Sequence, residues 1–221
     1  MKSILKIVTP LTVYVILLAC AFAGKQTMDE SQINKLLKEA SSDNFYVHRL
    51  IEANQVVYEG IPSAHFKKHT IFRILLLDPG FEEHNFIIAV KKYPEKATIL
   101  TDSLDGLNSV IATEKIDITD VEVLKEFALE AMGLIRPLYK RWHVIDDLDN
   151  FKAVTKGKHV PVKYDSFKFT KAQDGKSYIG QILLLIDKDL VNRSVTWDGK
   201  KFGFIDKILV KDLVDPTNPH S

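Results

Sequence analysis

Residues 119–137 read TDVEVLKEFALEAMGLIRP, and the period of their apolar positions decides the fold class. Leu124, Phe127, Ala128, Ala131 and Ile135 recur at spacings of three and four, which places them on one face of a helix. Thr119-Asp120-Val121-Glu122 has capping-box spacing in front, and Pro137 stops the pattern behind, so a long central helix is expected over 120–136. On either side of it the period falls towards two.

Upstream, TIFRILLLD (70–78) runs into the turn signal Asp78-Pro79-Gly80, and HNFIIAVKKY (84–93) returns. ATILTDSLDGLNSVIAT (97–113) reads as a further hairpin around Asp105-Gly106. Downstream, VPVKYDSFKFTK (160–171) alternates, QDGKS (173–177) turns and SYIGQILLLID (177–187) runs back. LVNRSVTW (190–197) then meets KKFGFIDKILV (200–210) across Asp198-Gly199, the strongest hairpin signal in the chain. Nearer the N-terminus, Thr27-Met28-Asp29-Glu30 repeats the capping-box spacing, and Ile33, Leu36, Leu37 and Ala40 share a helical face. Val47, Leu50, Ile51 and Gln55-Val56 suggest a second short helix or the start of a strand, and Gly60-Ile61-Pro62 breaks that pattern.

Strands in runs with helices segregated predict an α+β fold of antiparallel β-meanders rather than a βαβ fold. One domain over 20–221 is expected, with β-rich halves at 56–118 and 151–214 joined by a helix at 119–136. The alternative is one curved sheet wrapping the long helix, which would resemble cystatin-like folds; that likeness implies a shape and no function.

Lys2 and Lys6 open the chain and no charge follows from Ile7 to Gly24, the layout of a secretory signal. A spanning helix is the competing reading, but the fully apolar part, Val13–Ala23, is short of the roughly 20 residues a bilayer requires. Ala21-Phe22-Ala23 offers cleavage after residue 23. Leu17-Leu18-Ala19-Cys20 resembles the lipobox of bacterial lipoprotein precursors, over the signal region alone. That resemblance implies a signal peptide of residues 1–19, a thiol at Cys20 carrying diacylglycerol and a new amine that is acylated. Several acyl chains hold a protein stably where one does not. Ala21 is not the aspartate that marks inner-membrane retention, so the resemblance implies an outer-membrane destination in a Gram-negative cell, with the periplasm or secretion as the alternative.

Thirty basic and 29 acidic residues give +1; without Lys2 and Lys6 the balance is 28 against 29, or −1. Near-neutrality supplies no long-range attraction to nucleic acid. Cys20 is the only cysteine, so the remainder forms no disulfide and depends on core burial.

Gly-x-Ser-x-Gly, P-loop, Gly-x-Gly-x-x-Gly and His-Glu-x-x-His signatures are missing, and no cofactor is implied. His65 and His69 in HFKKH (65–69), with His84 in the following turn, are weak metal candidates. In an extended segment two lysines would stand between those ligands and repel a cation. HFKKH, YKRWH (139–143) and TKGKH (155–159) each join base to histidine, the first two with aromatics. Brought together, Lys67, Lys68, Lys140, Arg141 and Trp142 would make an anion- or partner-binding face, although Asp146, Asp147 and Asp149 stand close by; solvated loop residues are the simpler reading. Trp197 is either a recognition aromatic at a hairpin tip or the cross-strand partner of Phe202. Asn192-Arg193-Ser194 is a glycosylation sequon, incidental in a bacterial lipoprotein.

The expectation is an exported, lipid-anchored or secreted module that works by binding another envelope protein or polymer. A periplasmic hydrolase using Glu82, His84, His143 or Asp146, and a self-assembling structural factor, are the alternatives.

Overall fold

A computed structural model describes residues 29–41, 45–53, 55–76, 84–91, 93–116, 118, 120–135, 142–156 and 159–213. Cys20, Lys140, Arg141, Glu82 and the Asp78-Pro79-Gly80 turn lie outside the described residues, as does the side chain of His84. Two compact units divide the chain, Met1–Lys35 and Leu36–Ser221, and the second contains both sheets.

The helices are α1 (Glu30–Ala40), α2 (Phe45–Glu52), α3 (Leu104–Glu114), α4 (Val121–Leu134) and α5 (Leu148–Thr155). The strands are β1 (Val56–Ile61), β2 (His69–Leu76), β3 (His84–Lys91), β4 (Lys96–Ile99), β5 (Trp142–Ile145), β6 (Phe169–Lys171), β7 (Tyr178–Ile186), β8 (Asp189–Trp197) and β9 (Phe202–Val210). Every ladder is antiparallel. The first sheet is the meander β1-β2-β3-β4, and the second runs β5-β7-β8-β9 with β6 also on β7. The α+β class with antiparallel meanders therefore holds, and the strands form two sheets rather than one curved one.

The helix at 119–137 is α4. Asp120 caps it, its carboxylate accepting from the N–H groups of Glu122 and Val123. Leu124, Phe127, Ala128 and Ala131 are buried, as the period requires. They meet Ile71, Ile87 and Ala89 of the first sheet, Leu107, Val110 and Ile111 of α3, and Ile182, Leu184, Val191 and Val195 of the second in one core. Burial on this scale is the main stabilising term, at about 1.5–3 kcal/mol per large apolar side chain. At its centre Phe127 has ring neighbours on several sides, with His65, Phe202 and Trp197 at 4.7, 5.1 and 5.7 Å. Trp197 is buried and packs on its cross-strand partner Phe202 at 4.7 Å, so it is a core residue and not an exposed recognition aromatic.

Asp105-Gly106 does not turn a hairpin: it lies in the first turn of α3. Ser103 caps that helix, its hydroxyl accepting from the N–H of Gly106 at 2.9 Å. Glycine is required there, because a Cβ would stand 2.7 Å from Ser103 Oγ and closer still to the carbonyl of Ile99. Of the alternating stretch 160–171, only Phe169–Lys171 is strand. Its side chains alternate because the segment runs between two apolar clusters. Val160, Val162 and Tyr164 pack with Phe151, Val154 and Leu185 on one side, and Phe167 and Phe169 enter the main core on the other. Pro161, with no N–H to give a ladder, suits an irregular path.

Candidate functional site

The Lys67 and Lys68 side chains of HFKKH are exposed, as solvated loop residues would be, but its main chain is not free. It closes around one carboxylate, that of Glu114 at the C-terminal end of α3. The N–H groups of Lys67, Lys68 and His69 all donate to that carboxylate, at 2.8–3.0 Å. The imidazole Nδ1 of His69 lies 2.6 Å from Glu114 Oε1. The side chains of His69 and Glu114 are 4% and 1% exposed. A carboxylate opposes the macrodipole at this end of a helix, so the three amides and the imidazole offset both that and the loss of water. Burial alone raises the Glu114 carboxyl; the His69 hydrogen bond and the Lys68 and Lys67 amides outweigh it and hold the group below its ordinary value. Lys68 Nζ donates to the carbonyl of Thr113, another end group of α3. His65 Nδ1 sits 2.6 Å from Glu130 of α4, and its ring lies on Phe127. The loop is thus clasped to two helices at once.

This accounts for the sequence-predicted residues in that region. His65 and His69 each answer a different carboxylate, and among the described residues no group of three or more His, Cys, Asp or Glu is placed to hold a metal ion. Trp142 begins β5 and packs half-buried against the core, which makes it a wall residue rather than a free platform. Asp147 caps α5 through the N–H of Asn150, Asp146 accepts from the Asn150 amide, and Asp149 lies beside Lys152. His143 is exposed on β5. Burial first, and then the charges of Asp147, Asp146 and Asp165, push the Tyr164 hydroxyl above its ordinary value.

Among the described residues an accessible concavity lies elsewhere, on the outer face of the second sheet. An open groove of about 540 Å3 runs between the irregular segment 162–170 and the outward side chains of β7 and β8. Lys163, Ser166 and Lys168 stand along one bank; Ile179, Gln181 and Asn192 along the other. β5 pairs with β7 only from Leu183 onward and β6 only up to Gly180, so Gln181 and Ile182 lie in the gap between the two ladders, and the groove spans that gap. Gly180 lets the near bank approach: a Cβ there would stand 2.7 Å from the Phe167 ring and 2.9 Å from the carbonyl of Lys168. Asn192 donates to Gln181 across the ladder at 3.4 Å, and Lys168 lies 3.5 Å from Asp165. Amides, hydroxyls and ammonium groups can orient a polar chain. Among the described residues the lining contains one carboxylate, Asp165, and no histidine to form an acid–base pair with it. The sequence reading missed this groove because its residues carry no motif. Asn192 stands out in the sequence only as a sequon, and Gln181 only as part of the run SYIGQILLLID.

No family model matches the sequence, and neither a curated protein nor a solved structure shows significant similarity to it.

Proposed function

We propose that the chain is an exported envelope protein, lipid-anchored through Cys20 or released after Ala23, that binds an extended segment of another envelope component in the groove beside β7. The observation that carries the reading is the lining of that groove. Side-chain amides, lysines and hydroxyls stand over an apolar floor of Val162, Ile179 and Leu183. Such a lining can orient an extended polar ligand. Glu114, His69, His65 and Glu130 are paired with one another and hold the loop. Glu82 and the side chain of His84 are not described, and nothing draws His143 and Asp146 to the groove.

Two measurements test the parts separately. Intact mass of the membrane fraction from native cells should show a species beginning at Cys20 with added acyl mass; one beginning at Gly24 in the soluble fraction overturns the anchor. A photo-crosslinking residue at Gln181 should give a discrete adduct in the envelope, and the same residue at Glu59, exposed on β1, should not. Equal labelling from both positions overturns the groove as the binding site.

A further inference from the structure

Two turns of the second sheet are built alike. Asp174-Gly175-Lys176-Ser177 lies between β6 and β7, and Asp198-Gly199-Lys200-Lys201 lies between β8 and β9. In the first, Asp174 Oδ1 accepts from the N–H groups of Lys176 and Ser177, both at 2.8 Å, and Oδ2 from the Ser177 hydroxyl at 2.6 Å. Those bonds, the hydroxyl first, hold the Asp174 carboxyl down at about 2. In the second, Asp198 Oδ1 accepts from the N–H groups of Lys200 and Lys201, both at 2.9 Å. Each aspartate is followed by a glycine at positive φ, +68° and +87°, which lets the turn fold back on its own carboxylate. The lysines are what the turns present outward.

Both turns stand at one end of the sheet. Lys171, Tyr178, Trp197 and Phe202 are neighbours in a single row across β6, β7, β8 and β9, and the two turns project beyond that row. Two strand spacings, about 10 Å, separate their tips. Lys171, Lys176, Lys200 and Lys201 are exposed there, and none of the four is held in an ion pair among the described residues. Four ammonium groups thus stand over two carboxylates whose oxygens are committed inside the turns. The opposite end reverses the balance. There the turn at Asp187-Lys188 is met by residues 211–213, Leu213 donating to the Lys188 carbonyl and the Asp212 N–H to Asp189. Lys188 and Lys211 therefore stand among Asp187, Asp189 and Asp212.

We infer that the lysine-bearing end of the second sheet rests on an anionic lipid surface, the ammonium groups of its two turns meeting phosphate headgroups. The shape suits a flat, charged surface: two blunt tips reach the same level, and neither turn carries an exposed large apolar side chain that would seek a pocket in a protein partner. The asymmetry of the sheet selects which end approaches, because the other would bring carboxylates to the phosphates. Each lysine near such a surface strengthens the contact about fivefold, so the contact is weak and salt-sensitive. A contact of that strength orients a protein already kept near a bilayer. It uses none of the groove residues and is the same whether the mature chain begins at Cys20 or at Gly24.

The test uses the released form beginning at Gly24, which lacks the apolar segment Val13–Ala23 and so has no such segment to enter a bilayer unaided. At low salt it should sediment with vesicles of phosphatidylglycerol mixed with phosphatidylcholine and not with vesicles of phosphatidylcholine alone, and added salt should release it. Lys200→Gln with Lys201→Gln should weaken the association by about 25-fold, a factor of roughly five for each lysine. Lys188→Gln with Lys211→Gln removes the same charge from the opposite end and should leave the association within about twofold. All four side chains are exposed, so neither pair disturbs the core. Equal losses from the two pairs would make the attraction one of net charge and overturn the proposal. Equal sedimentation with both kinds of vesicle would overturn it too, as would none with either, which would leave these turns to an acidic protein.

Discussion

Two polar regions of this molecule are built from similar residues and do opposite things. The HFKKH clasp and the β7 groove both assemble lysines, hydroxyls and hydrogen-bonding side chains. In the clasp the amides and the His69 ring face inward, every oxygen of Glu114 is engaged and solvent is excluded from it, while the Lys67 and Lys68 side chains stay exposed. In the groove the amides are turned to water and bond weakly to one another. Charge in a sequence therefore does not mark a binding site; satisfied and buried, it is architecture. The main chain and histidines of the HFKKH run are a fastening, and the region we propose for binding is the plainer one.

Breaking the clasp should have the largest effect. Glu114→Ala leaves three amides and an imidazole without their acceptor, and removing one member of such a buried set costs about 3–5 kcal/mol. For a domain of this size that lowers Tm by roughly 10 °C in a thermal melt. A loss below about 1 kcal/mol would mean that the amides find water as readily as they find the carboxylate.

The same group sets the acid limb. Glu114 is held below its ordinary value of 4.5 in the folded chain, so its contribution is present above that value and is lost as pH falls through the folded one. Wild-type stability should decline below about pH 4.5 by more than that of Glu114→Gln, which has no proton to take up. Urea midpoints across pH 3–6 compare them; parallel profiles would assign the acid limb to other carboxylates.

Gly180→Ala sharpens the contrast from the groove side. The added methyl meets the Phe167 ring and the Lys168 carbonyl, and the second contact is backbone that gives way only if the bank moves. Overpacking of this kind costs about 1–3 kcal/mol. It should displace the 162–170 bank while the clasp stays closed, which would appear as amide shift changes at Ser166 and Lys168 and none at Lys67–His69.

The uneven legibility of the sequence has the same physical root. Periodicity exposed α4 and the β8–β9 hairpin, because a buried face repeats at the period of its element and Asp198-Gly199 fits a tight turn. It failed at Asp105-Gly106, a dipeptide that serves a hairpin or the first turn of a helix. Ser103 two residues earlier, with Leu107, Val110 and Ile111 after it, carried the deciding signal. It failed again at 160–168, where alternation reflects two cores rather than a strand. The clasp was illegible because it joins residues 45–47 positions apart, and no local pattern announces that Lys67, Lys68 and His69 will offer their main chain rather than their charges. In the groove, Gln181 and Asn192 become a site only through the register that sets β7 beside β8.

The smallest effect on stability should come from the residues proposed to bind. Gln181→Ala and Asn192→Ala remove exposed or half-exposed amides whose mutual bond is long and solvent-facing, so each should change the unfolding free energy by no more than about 0.5 kcal/mol. If the groove holds an extended partner, those amides are then desolvated in the complex. Losing one leaves the opposing polar group buried and unpaired, at about 1–3 kcal/mol, or roughly a fivefold to hundredfold weaker complex. Glu114→Ala should show the reverse order, a large loss of stability with little loss of affinity in whatever fraction stays folded. The two variant classes together form a crossed test, read by thermal melts on one axis and by crosslinking yield at Gln181 on the other. Groove variants that destabilise without weakening capture would make the amides part of the architecture after all, and the two polar regions would then be alike.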